Sequence, residues 1–381
     1  MQIELTADQT ATAARARAFA LERIAPEAGR WDREERFPRE MIAQMAAAGF
    51  VGAVVPTEHG GPGLDPVSVG LVHAAIGGAC SSARSLLTVH SMFAQTLLRW
   101  GSAEVRERWL PAVAKGERIG AFALSEPEVG SDAQSITTEA TRSEGGYRLR
   151  GTKRWITFGQ LADLFLVFAR VDNKPTAFLV EAGADGLSIE PIGGLLGMRA
   201  SMLATLRLDD VRVDASRRVG GEGFGISVVG SSALDLGRYS VAWGAVGAAE
   251  ACLEASIAYA NNRQQFGSKI SELQLIRRML TNMAVETRAA RLLCLEAGWL
   301  RQRGSAESVT VAQMAKYYAS RAAFRVASDA VQIHGANGVT QAHPVERMLR
   351  DSKINEIVEG STEIQQILIG KAVAAQGAKR S

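Results

Sequence analysis

The sequence predicts an α+β protein, mostly α, with helical regions at both ends and a small β domain between them. Three observations predict it. Apolar residues recur at helical spacing from the N-terminus to about residue 118. Short runs rich in Val, Ile, Phe and Thr, broken by Gly, Asp and Asn, fill residues 120–230. From residue 233 onward the pattern is helical again, in longer Ala-rich segments. The divisions expected are therefore 1–119, 120–230 and 231–381.

In the first region Thr6 caps a helix over residues 11–25, with Pro26 near its end. A second helix starts at Phe37-Pro38-Arg39 and closes at Gly49. Residues 54–66 form a Gly/Pro-rich loop. Helices over 68–79 and 82–100 follow, the latter closed by Gly101. In the second region, 146–159, 163–171, 176–182, 187–192 and 204–213 alternate as antiparallel strands, with a turn at Glu144-Gly145-Gly146. The third region has three long helices, 234–262, 271–303 and 306–334, and a shorter one near 361–376. Their apolar faces are wider than one bundle side needs, so a subunit interface is expected there.

Composition narrows the function. With 47% hydrophobic and 22% charged residues the chain is neither disordered nor a disulfide scaffold. Its 3 cysteines have no CxxC spacing and an odd count, and no basic-then-apolar leader opens the chain, which points to the cytoplasm. No apolar stretch approaches a membrane span, and a net charge of +3 gives no reason to expect nucleic acid. No metal-ligand spacing is present, so no metal is expected.

Four segments carry chemistry. Phe122 to Asp132 holds Leu124, Ser125, Gly130 and Ser131 where a strand runs into a loop, able to offer N–H groups to an anion or a ring edge. It reads equally as an ordinary β-domain loop. Lys153 to Gly159 sets Trp155, Ile156 and Thr157 at a strand end, where the indole can cover a flat ring or fill a core. Asn262 to Gly267, followed by Gln274, exposes Arg263 and Phe266 at a helix end; Arg suits a pyrophosphate and Phe a purine, while the helix dipole alone also favours Arg there. Arg350 to Gln365 contains Glu359, which follows Val358, precedes Gly360 and has no cation beside it in sequence. A carboxylate in an apolar loop has a raised pKa suited to a general base, although a solvent-facing loop Glu fits the same pattern.

In this order the four segments resemble the acyl-CoA dehydrogenase family over nearly the whole chain. Phe122 to Asp132 is similar to its first signature; Ala330 to Gly335 and Glu346 to Gln365 are similar to its second. The resemblance implies an N-terminal helical domain, a middle β-barrel-like domain and a C-terminal four-helix bundle. It implies FAD and a homotetramer. Phe122, Leu124, Ser125, Gly130, Ser131, Trp155, Ile156 and Thr157 would hold the flavin in the same subunit. Ser361 and Glu363 would touch its adenosine half. Arg263, Phe266, Gln274, Gln332, Ile333 and Gly335 would reach a partner's FAD. Ser131, Asp235, Arg238, Val358 and Gly360 would face the substrate. Glu359 would take the α proton of an acyl thioester while a hydride passes to flavin N5, and an electron acceptor would reoxidise the flavin.

Some branches of the family carry the base on the first bundle helix; that slot here is Gly237, leaving Glu359. The usual Gly-Gly is Gly335-Ala336, and Val358 replaces an aromatic gate, which suggests a pocket for a polar acyl group. Cys80 to Leu87 and Tyr239 to Gly244 resemble a subgroup of polyketide and nonribosomal peptide pathways. That subgroup oxidises small acyl groups on an acyl carrier protein to make hydroxymalonyl, methoxymalonyl or aminomalonyl extender units. The other readings are a short- or branched-chain acyl-CoA dehydrogenase and, against a C-terminus with only Lys371, Lys379 and Arg380, a DNA-binding relative.

Overall fold

The computed structural model describes residues 4–378. Thr6 closes a capping box with Gln9 and starts α1 (Ala7–Phe19). The helix does not end near Pro26. One π turn (Ala20–Ile24) passes it into α2 (Ala25–Glu34), where the proline sits in the first turn and needs no donor. Then come α3 (Arg39–Ala47), α4 (Pro66–Ala79), α5 (Ser81–Trp100) and α6 (Ala103–Ala114). The sequence reading did not separate α6; its Ser102 cap and interior Pro111 hide it between two loop signals.

The middle region is one mixed sheet of β1 (Gly120–Ala123), β2 (Glu139–Ser143), β3 (Gly146–Ile156), β4 (Leu164–Val171), β5 (Lys174–Glu181), β6 (Leu187–Pro191), β7 (Ala204–Asp214) and β8 (Arg218–Val219). The order is β6-β7-β3-β2-β4-β5-β8, with β1 also on β4. The expectation of antiparallel strands is corrected at two ladders: β1 and β2 both run parallel to β4. β4 is buried at nearly every position, so its composition carries no alternation to reveal direction.

The last region holds α7 (Ser231–Asn262), a small hairpin of β9 (Gln264–Gln265) and β10 (Ser268–Lys269), then α8 (Gln274–Gln302), α9 (Glu307–His334), α10 (Val345–Asn355) and α11 (Thr362–Ala378). Gly225–Asn262 is long and apolar enough to cross a membrane by length and composition, but 61% of its most apolar window is buried within the protein. Its core is shared with α4: Gly70 meets the Trp243 ring, and Gly77 and Gly78 meet the backbone of Gly244 and Gly247. Val67, Leu71 and Ala74 of α4 therefore belong to the same apolar cluster as Trp243, Met283 and Ala319. All three cysteines are buried and free.

Candidate active site

The catalytic candidate lies on the loop between α10 and α11. Glu359 has φ +57 and Gly360 φ +89, two successive left-handed residues. That conformation is disfavoured for Glu and holds only where its surroundings enforce it. Here two carbonyls are gripped. Arg238 Nε donates to the Glu359 oxygen at 3.4 Å and Gln365 Nε2 at 3.3 Å; Gln365 Nε2 and Lys316 Nζ donate to the Gly360 oxygen at 3.0 and 2.7 Å. The twist turns the Glu359 side chain inward onto α7, where Oε2 is buried without a hydrogen-bond partner.

The space it occupies belongs to Gly237. A Cβ there would lie 2.8 Å from Glu359 Cδ and 2.8 Å from Met92 Sδ, and nearer still to Oε2. The absent side chain of Gly237 is thus the seat of the Glu359 carboxylate. Burial pushes the carboxyl up to about 7, against the opposing pull of Arg238, Lys316 and Arg84. The expectation of a purely apolar loop is corrected: no cation is adjacent in sequence, but three converge in space from α7, α9 and α5.

Arg84 is almost wholly buried at 1% exposure; its hydrogen-bond partners among the described residues are neutral, and the Glu359 and Asp351 carboxylates act on it through space. Its guanidinium donates to Thr88 Oγ1 at 3.1 Å and to Asn355 Oδ1 at 3.1 Å, and contacts Met198 Sδ at 3.7 Å. Its stem lies on Gly244, where a Cβ would come within 2.7 Å. Ser240 Oγ donates to Thr88 Oγ1 at 3.0 Å. So Met92, Thr88 and Arg84 on α5 face Gly237, Ser240 and Gly244 on α7, each a helical i, i+4 or i+3 step. The two short motifs, Cys80 to Leu87 and Tyr239 to Gly244, meet in one seam whose far end is Glu359. At 1.5 Å per residue, Gly237 and Gly244 are about 10 Å apart.

The sheet pins the other candidate elements. Lys153, fully buried on β3, donates to Leu124 O at 3.1 Å and to Glu126 Oε1 at 2.7 Å. Glu126 also accepts from Thr137 and Thr138 backbone and hydroxyl groups at 2.6–2.9 Å. Arg154 N donates to Ser125 O at 2.9 Å. Ser125 is thereby fixed, while Gly130 and Ser131 stay exposed. A bulge between Lys153 and Ile156 gives Trp155 φ +65 and leaves its indole 48% exposed. Phe122 packs against Phe168 with the rings tilted at 58° and their centroids 4.9 Å apart, and Thr157 is half-buried. Leu124 and Ile156 are buried, so only their backbone is available to a ligand.

Arg263 caps the C-terminal end of α7, as the sequence predicts, whereas Phe266 lies beyond the helix. Phe266 tips the β9–β10 hairpin with φ +54 and 92% exposure, and Arg263 and Gln274 are exposed beside it. Gln332 and Gly335 are exposed at the end of α9, but Ile333 turns into the bundle core at 4%, contrary to a surface role for its side chain. Asp235 pairs with Arg301 at 2.8 Å, leaving Oδ1 without a hydrogen bond. Val358 and Gly360 flank Glu359, and Ser361 and Glu363 open α11, Ser361 holding the Glu363 carboxyl below its usual range. Arg84, Lys316, Gln365 and Lys153 escaped the sequence reading. Lys316 did leave a signal: Ala312, Ala315, Lys316, Ala319 and Ala323 form one apolar helical stripe with a lysine in it. No cluster of His, Cys, Asp or Glu able to hold a metal occurs among the described residues.

An exposed indole beside a pinned, small-residue loop, and an exposed Phe with Arg on a separate hairpin, suit a flat ring system with a diphosphate. Three family profiles match in chain order: acyl-CoA dehydrogenase N-terminal domain over residues 6–117, middle domain over 121–211 and C-terminal domain over 223–374. An acyl-CoA dehydrogenase of Bacillus subtilis is 37% identical over 375 residues, covering 97% of this chain and 98% of its own. The solved butyryl-CoA dehydrogenase of Megasphaera elsdenii has a TM-score of 0.95 at 32% identity, covering 98% of this chain and 100% of its own. The prolyl acyl carrier protein oxidase AnaB has a TM-score of 0.92 at 30% identity over 97% of this chain and 100% of its own. FkbI, for biosynthesis of a methoxymalonyl extender unit, has 0.88 at 31% over 94% of this chain and 99% of its own. The seat of the carboxylate, the pinned loop and these end-to-end likenesses agree that the chain belongs to the acyl-CoA dehydrogenase family, whose members are FAD-dependent oxidoreductases.

Proposed function

We propose that the protein dehydrogenates a small acyl thioester with a polar acyl end, carried by an acyl carrier protein in making an extender unit of the hydroxymalonyl, methoxymalonyl or aminomalonyl type. The observation that carries the chemistry is the buried, unpartnered carboxylate of Glu359 seated on Gly237. A carboxyl pushed up to about 7 is ionised for part of the population near neutral pH and is basic enough to take an α proton acidified by a thioester. FAD, when bound, accepts the electron pair released from the substrate. Leu124, Ser125, Gly130, Ser131, Trp155 and Thr157 would face its ring system; Ser361 and Glu363 would face the adenosine half. Arg263, Phe266, Gln274, Gln332 and Gly335 would serve the FAD of another copy in a homotetramer. An acyl chain bound against Glu359 would exclude water from the carboxylate and hold its α carbon beside it.

Arg84 supports the polar end. Its guanidinium hydrogen-bonds neutral groups only, and although the Glu359 and Asp351 carboxylates act on it through space, burial still lowers it to about 10, so an oxygen-rich group meeting it would stabilise the charge. AnaB and FkbI, with their carrier-protein and extender-unit contexts, support the carrier. The competing reading is a short- or branched-chain acyl-CoA dehydrogenase, favoured by the Bacillus and Megasphaera relatives. Glu359→Gln tests the base. It keeps the shape and removes the proton acceptor, so substrate bleaching of the flavin should fall by roughly 10²–10⁴-fold with FAD still bound. Bleaching at the wild-type rate would reject Glu359 as the base.

A further inference from the structure

Lys316 lies on α9 at 0% exposure. Its ammonium donates to the Gly360 oxygen at 2.7 Å and reaches the Glu356 oxygen at 3.5 Å. It has no ion-pair partner among the described residues. Two backbone carbonyls need only a neutral donor, and burying a full charge to satisfy them costs far more than burying an amide. The charge therefore answers something else: the nearby Glu359 carboxylate acts on it through space, and that carboxylate's Oε2 is buried without a hydrogen bond. We propose that Lys316 is a positioning residue of the reaction: its ammonium holds the Glu359–Gly360 turn in its left-handed form and, acting through space, sets the proton affinity of the base. This rests on Glu359 being that base.

The surroundings allow the assignment. Glu359 is faced by Arg238 from α7, by Lys316 from α9 and by Arg84 from α5; Asp235 acts on Arg238, and Glu356, Glu363 and Arg238 act on Lys316. Arg84 and Arg238 remain charged throughout the working range; burial lowers Arg84 only to about 10. Lys316 is different. Burial pushes it down to about 8, with Glu359 pulling it back up. It is the cation facing the base that can lose its proton near physiological pH. Ionised Glu359 beside charged Lys316 then exists between about 7 and about 8. On this reading kcat/KM rises as Glu359 ionises through about 7 and falls as Lys316 discharges through about 8.

The test uses the FAD-loaded protein and Lys316→Gln, which keeps a donor near the turn and removes the charge. Two readouts are followed against pH: kcat/KM, and the infrared band of the protonated Glu359 carboxyl, identified by its loss in Glu359→Gln. Without the ammonium the carboxyl should hold its proton to a pH about one unit higher. The rising limb should move by the same amount and the falling limb should vanish. A loss of rate with both limbs and the band unmoved would mean a merely structural lysine and overturn the proposal. Should Lys316→Gln fold poorly, the reciprocal measurement decides. In Glu359→Gln, the 15N-labelled Nζ of Lys316 should titrate about one unit lower than in wild type, because coupling between two sites is symmetric. An unshifted Nζ titration would overturn the proposal too. Active Glu359→Gln would instead remove the base reading, which separates the two failures.

Discussion

Gly237→Ala tests the seat of the base most sharply, because the same methyl group has small and opposing effects on stability but a large one on chemistry. Within α7 the change to Ala gains about 1 kcal/mol of helix propensity. The added Cβ would stand 2.8 Å from Met92 Sδ and 2.8 Å from Glu359 Cδ, both near the ends of flexible side chains. Overpacking of that kind costs roughly 1–3 kcal/mol, so the fold should lose about 2 kcal/mol at most. The carboxylate has to retreat by about 1 Å to restore an ordinary contact, and a misplacement of about 1 Å costs on the order of 10²-fold in rate. That equals about 2.7 kcal/mol of transition-state stabilisation. The assay is anaerobic single-turnover flavin reduction beside thermal melting and FAD content. The expected result is a nearly unchanged melt, full FAD occupancy and a hundredfold slower bleach. A variant that bleaches at the wild-type rate would show that Glu359 does not need the space over residue 237, and the geometric argument for the base would fall.

Arg263→Ala should raise the FAD dissociation constant, since a charge-assisted contact to a diphosphate is worth roughly 1.5–3 kcal/mol; equilibrium dialysis of the flavin checks it, and unchanged affinity would remove the hairpin from the cofactor site. One acyl group offered on CoA and on its carrier protein should reduce the flavin faster from the carrier, and the advantage should shrink as salt rises because encounter with an acidic partner is electrostatic. Equal or faster reduction by the CoA ester would leave the ordinary acyl-CoA dehydrogenase.

Much of the fold was legible because its signals are local. Thr6 capping α1, Gly49 and Gly101 after helices, and the Gly145 turn each act within a few residues. What escaped depends on partners distant in sequence. Strand direction at β4 is set by β1 and β2, 44 and 31 residues earlier by register, and a strand buried on both faces looks the same either way. The π turn before Pro26 is invisible because a proline near a helical run reads as a stop. At the site, Glu359 was readable from its loop and Arg238 from the family resemblance, whereas Arg84 and Lys316 were not: the three cations come from three helices and meet only when folded. The resemblance assigns Ile333 to a partner's FAD; its helical phase turns its side chain inward.

That phase argument also explains why two motifs separated by about 150 residues behave as one. Small residues at Gly237 and Gly244 are what let α5 approach α7 closely enough for Met92 and Arg84 to fill their places. Ser240 and Thr88, bonded at 3.0 Å, fix the register between those two contacts. A side chain at residue 244 would displace the Arg84 stem, and one at residue 237 would displace the base, so each glycine is tied to a different charged group on the same wall. A carboxylate on α7 at residue 237 and one on the loop at residue 359 would compete for a single volume. The fold therefore has room for one base at this wall, and the residue that yields the space is as much a part of the catalytic arrangement as the one that fills it.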